Sequence, residues 1–107
     1  MEKETILCAA NHYDDGVHYS HSPLNIKSGF VICGRRHFNC IAIFAKMVGF
    51  PYDENGLTLM RTEEQGFITN TNRWVDRLEA LEIAKTANQV ITGEGNSKIG
   101  LFSEDLY

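Results

Sequence analysis

No stretch of this chain approaches the roughly 18 to 20 consecutive apolar residues that cross a bilayer, and the apolar core of the N-terminal "MEKETILCAANHY" is far shorter. No membrane partner is expected. Proline is scarce, two residues in 107, and the nine glycines follow no period, which excludes collagen-like and proline-rich chains. Positive charge is in deficit: ten Lys and Arg against fourteen Asp and Glu leave a formal net charge of −4. Coating a DNA or RNA polymer requires a broad basic surface that displaces counterions, so neither polymer is an expected partner. An anionic ligand would have to meet a local cluster of cations. Cysteine is sparse as well. Cys8, Cys33 and Cys40 cannot all pair with one another, and reduced thiols in a cytoplasmic protein are the expectation. The G-x-x-x-x-G-K-[ST], G-x-G-x-x-G and G-x-S-x-G patterns are all missing, which removes support for the usual phosphate-loop, dinucleotide and nucleophile-elbow enzymes.

What is present reads as one small domain, residues 1–107, with the composition of a folded protein, 43% hydrophobic and 22% charged. A chain of this size has a limited core and is a natural subunit. "TILCAA" (5–10) and "FVIC" (30–33) are short, apolar and bounded by turn formers, which predicts two buried strands. Residues 11–29 between them hold Asp-Gly, Ser-Pro and Ser-Gly pairs, predicting a long surface connection with a short hairpin around Asp15 and Gly16. From Arg36 to Val48 there is no Gly or Pro, and the run is too long for a typical strand. It predicts a helix, apolar on nearly every side and therefore buried on more than one face. "LTLM" (57–60) reads as a short strand, and "QGFITNTNRWV" (65–75) as a strand leading into a loop. Asp76 with Glu79 three residues later predicts a capped helix over 77–87, with Leu78, Leu81, Ile83 and Ala84 on its apolar side and Asn88 as its stop. "TGEGNSK" predicts a flexible loop, and the apolar anchors of "IGLFSEDLY" predict a docked terminus. The expected fold is α+β: a small, mainly antiparallel sheet packed with two main helices, assembled as a homo-oligomer through helix 36–48.

Four groups of residues carry candidate chemistry. Arg35 and Arg36 stand where a strand gives way to a helix, and unpaired first-turn N–H groups there favour an anion that two guanidinium forks would grip. The same arginines could instead pair with some of the fourteen acids. Cys33, His37 and Cys40 are zinc-ligand types, with His12, His18 or His21 as a fourth, but the C-x3-H-x2-C spacing is not a standard knuckle, and buried thiols explain the cysteines equally. His12, Asp14, Asp15, His18 and His21 resemble an acid–base or metal cluster, or a polar loop whose histidines hydrogen-bond locally. Phe67, Asn70, Asn72, Arg73 and Trp74 put stacking rings, amide edges and a cation within eight residues, a set suited to a nucleotide or to a hairpin edge.

The order "NHYDDG", "HSPLNIKSGFVICGRRHFNC", "QGFITNTNRWVDRLEALEIA", "LFSEDLY" resembles a family of small phage and prophage proteins, the Tad-type anti-Thoeris sponges, over nearly the whole chain except about residues 50–62 and 90–99. The resemblance implies an oligomeric, non-enzymatic protein without a cofactor or metal, working in the cytoplasm of an infected bacterial host. Its partner would be a cyclic ADP-ribose isomer made by TIR-domain immune enzymes, and a second arginine-lined site for cyclic oligonucleotides occurs in some members. Carried over by position, it implies Arg35 or Arg36 for phosphate, Phe67 for stacking on the base, and Asn72, Arg73 and Trp74 around them. Trp74 stands where phenylalanine is expected and Phe38 where histidine is common, and Lys98 replaces an arginine before the terminal motif. Two rival expectations remain: a hydrolase of the same signal using the histidine-rich loop, and an inhibitor that docks on a host defence protein.

Overall fold

Pairing with both neighbouring strands continues through His12, and with β2 to Tyr13, so the first strand runs past the predicted Ala10 to take in Asn11, His12 and Tyr13. The computed structural model describes residues 3–90 and 100–106. In chain order its elements are β1 (Ile6–Tyr13), β2 (Phe30–Gly34), α1 (His37–Val48), α2 (Glu54–Met60), β3 (Glu64–Thr69), β4 (Trp74–Asp76), α3 (Arg77–Thr86) and a 3₁₀ turn at Ser103–Asp105. The strands form one antiparallel sheet in the order β2-β1-β3-β4. The expected α+β class, with a small antiparallel sheet, is what the chain adopts.

Ala9 and Tyr13 of β1, Ile32 of β2, Phe67 of β3 and Val75 of β4 share the inner face of the sheet, buried beneath α1 and α3. The Tyr13 ring stacks on Phe44 of α1 with centroids 4.0 Å apart. Burying rings of this size is the main favourable term for so short a chain. Helix α1 turns His37, Cys40 and Phe44 inward, at i, i+3 and i+7. Exposed apolar residues flank that stripe on both sides, Phe38 (67%) and Ile41 on one flank and Ile43 and Met47 (60%) on the other. Gly49 ends the helix at φ 85, its N–H donating to Ala45 O at 3.0 Å.

Several sequence expectations change. "LTLM" is not a strand but the second half of α2, because Asp53 caps that helix by accepting from the Gly56 N–H at 2.7 Å. Residues 65–75 form a hairpin, β3 and β4 joined by a tight turn in which Asn72 takes φ 62 and donates its N–H to Thr69 O at 3.0 Å. No short hairpin forms around Asp15 and Gly16, since residues 14–29 contain no strand. Asp14 Oδ1 accepts there from the Gly16 N–H at 2.9 Å in a local turn. Asp76 does cap α3, accepting from the Glu79 N–H at 2.8 Å. The buried stripe of α3 is Ala80, Leu81 and Ala84, while Leu78 is 57% exposed, so the helix presents its small residues to the sheet. The "TGEGNSK" prediction lies outside the described residues. The C-terminal segment docks: Leu101 is fully buried and its N–H donates to Arg77 O at 2.8 Å.

Candidate functional site

Since β2 and β3 both run opposite to β1, their C-terminal ends point to the same end of the sheet. That end carries Arg35 and Arg36 after β2 and the Asn70–Arg73 turn after β3. One strand separates the two segments laterally, and the register offsets them along it, because Gly34 ends β2 opposite Ala9 while Thr69 ends β3 opposite Ile6. Arg36 is the N-cap of α1, its N–H donating to Asn39 Oδ1 at 2.9 Å, and no acidic residue occupies the first turn of that helix. The positive end of the helix dipole and two guanidiniums therefore fall at one junction, with Arg35 exposed and Arg36 half-buried.

The proposed base-reading residues divide. Asn72 is exposed at the turn. Phe67 is fully buried, its ring edge-on to His37 with centroids 5.0 Å apart, so it offers no stacking face at the surface of this chain. Arg73 is committed to carboxylates. It donates through Nε and Nη2 to the two oxygens of Glu4 at 2.9 and 2.8 Å, and through Nη2 to Glu79 at 3.0 Å. Thr69 and Thr71 donate to the same Glu4 carboxylate. The Arg73 hydrogen bonds, then those of the threonines, hold Glu4 down at about 2. Trp74 lies on the outer face over Gly66, with Nε1 donating to Ala10 O at 2.9 Å; a Cβ on Gly66 would stand 2.6 Å from the indole. Ring and N–H thus serve the sheet.

The zinc reading fails on geometry. Cys33 pairs with Ala10 on the outer face, while His37 and Cys40 lie beneath the inner one. Both His37 nitrogens are taken: Nε2 donates to Gly66 O at 2.8 Å and Nδ1 accepts from Arg77 Nη2 at 3.3 Å, which makes the ring neutral, and burial first, then Arg77, pushes its pKa down. In the histidine-rich segment, His12 Nε2 meets Ser28 O at 2.9 Å and His18 Nδ1 meets Lys27 O at 3.1 Å, the local bonding of a polar loop. A concavity of about 350 Å³ beside it is lined by Asp14, Asp15, Asn55, Thr58 and Leu59, an acidic lining that repels anions.

Sequence reasoning missed Arg77. Its guanidinium donates to Gln65 Oε1 at 2.6 Å and Leu101 O at 2.8 Å and lies 4.7 Å from the Phe102 ring centroid, clasping the C-terminal segment to β3. The pattern holds no signal for it, because its partners are 12 to 40 residues away. Glu4, 69 residues from Arg73, was equally invisible.

Fold and site together define a small α+β domain with a cationic strand-to-helix junction at one end of the sheet and exposed apolar helix flanks. Residues 5–107 match the phage T4 y16D protein, and the chain belongs to that phage family. Neither the curated proteins nor the solved structures contain a match to it. Among the described residues no helix is long and apolar enough to cross a membrane.

Proposed function

We propose that this phage chain is a non-enzymatic binder that sequesters an anionic adenine-nucleotide immune signal, a cyclic ADP-ribose isomer, in the cytoplasm of the infected host, working as a homo-oligomer. The observation that carries the reading is the junction itself: Arg35 and Arg36 stand between the end of β2 and the first turn of α1, a turn whose own residues include no acid, at the same end of the sheet as the exposed Asn72. A diphosphate linkage needs paired guanidiniums and helix N–H groups, and a turn amide suits a base or ribose edge. The stacking face is then owed to a second subunit, since Phe67 and Trp74 serve this chain's own fold. The exposed apolar flanks of α1, Phe38 and Ile41 on one and Ile43 and Met47 on the other, are the surfaces through which that subunit would come.

Calorimetry with the cyclic ADP-ribose isomer, or with the cyclic oligonucleotides that related sponges hold, tests the junction. Arg35→Ala and Arg36→Ala should each weaken binding by roughly 1.5 to 3 kcal/mol, the loss of a charge-assisted hydrogen bond, without unfolding the chain. Unchanged affinity in both variants would move the anion site elsewhere.

A further inference from the structure

Cys8 and Cys33 lie on neighbouring strands and on the same face of the sheet, the outer one. Cys33 is directly opposite Ala10, so Cys8 is its diagonal neighbour two residues along β1. Both stand at the end of the β1–β2 ladder, whose last pair is Ala9 with Gly34. Cys33 is followed by Gly34, the last residue of β2, and Cys8 is preceded by a bulge at Leu7, where the register steps from Ile6–Thr69 to Cys8–Ile68. The segment 24–29 covers the far end of this face, with Asn25 bonded to the Trp74 backbone and Ser28 to His12. At the near end Cys33 is exposed and Cys8 partly so.

We infer that Cys8 and Cys33 form a peroxide-reactive dithiol site that closes reversibly into an intramolecular disulfide. Cys33 is the attacking sulfur: the hydrogen bond from Cys8 holds it down to about 7, while Cys8, as the donor, is pushed up. The Cys33 thiolate attacks one oxygen of hydrogen peroxide, the O–O bond breaks, and hydroxide leaves, giving a sulfenic acid. The Cys8 thiol loses its proton to that hydroxide, its sulfur attacks the Cys33 sulfur, and the S–O bond breaks with departure of a second water after protonation. Two thiols are oxidised by two electrons and one peroxide becomes two waters. Diagonal pairs begin wider than the roughly 3.5 to 4.5 Å between Cβ atoms in a disulfide, and the Leu7 bulge and the strand end at Gly34 supply the local give. An exposed bond of this kind is the easily reduced type. Cys40, fully buried and pushed up to about 11 by its burial, takes no part.

The experiment uses the full chain, reduced, freed of reductant, treated with a small excess of hydrogen peroxide, then denatured and alkylated. A mass loss of about 2 Da, one alkylation in place of three, and reversal by dithiothreitol are expected. Trypsin separates the cysteines onto peptides 4–27, 28–35 and 37–46, and the first two should be joined. Iodoacetamide labelling of Cys33 in the native protein should titrate with a midpoint near 7, rising in Cys8→Ala, which removes the donor and forms no internal link. A link to Cys40, a link only between two molecules, or three alkylatable thiols after peroxide would each overturn the site.

Discussion

Replacing Glu4 by Gln keeps the shape of the residue that gathers Arg73, Thr69 and Thr71 and removes only its charge. The pKa of Glu4, lowered from 4.5 to about 2, sets a ceiling of ~3.4 kcal/mol at 1.36 kcal/mol per unit. The side chains of Glu4 and Arg73 are 24% and 35% exposed, so solvent screens the pair, and the expected cost at pH 7 is about 1 to 2 kcal/mol. The sign follows from a depressed carboxylate. Its contribution is complete above the unfolded value of 4.5 and is lost as pH falls through about 2. Urea titrations of wild type and Glu4→Gln should therefore differ most near neutral pH. At pH 3 the gap should shrink to less than about half, and 1 M salt should narrow it at any pH. Equal stability at pH 7 would refute the clamp. It would also return Arg73 to the set of cations available to a ligand.

Phe67→Ala should cost about 3 to 5 kcal/mol in urea denaturation, because a fully buried ring leaves a cavity between sheet and α3; a cost under about 1 kcal/mol would mean the ring is not core and would restore it as a ligand face. Met47→Asp places a charge on an exposed flank of α1; if the chain assembles as proposed, light scattering should report an oligomer for the wild type and a smaller species for the variant, with an unchanged circular-dichroism spectrum. A monomeric wild type at high micromolar concentration would remove the shared pocket.

Periodicity was enough for the elements whose own residues decide them. The run 36–48 lacks breakers and folds as α1, and Asp76 with Glu79 marks the start of α3 because a cap is a contact between neighbours in sequence. "LTLM" misled because four apolar residues suit a strand or a helix turn equally, and the deciding contact came from Asp53, upstream of a glycine that reads as a breaker. The site was legible in the same measure. Arg35 and Arg36 sit at a junction that local pattern marks, and they occupy it. Phe67, Arg73 and Trp74 form a credible nucleotide-reading string, yet strand alternation turns Phe67 into the core and Trp74 to the opposite face, and Glu4 reaches Arg73 across 69 residues. A string of suitable side chains on a strand is divided between two faces by the pleat, and only the register says which.

The central claim is capture without turnover, and one mixing experiment tests it most directly. The purified chain is added to a molar excess of the cyclic ADP-ribose isomer, free ligand is followed over time, and the protein is then denatured by heat. Sequestration predicts an immediate loss of free ligand equal to the number of sites, a flat trace afterwards, and recovery of the intact cyclic compound by mass spectrometry. A continuing loss beyond the number of sites, with linear ADP-ribose among the products, would contradict the account and assign the chain to the hydrolases.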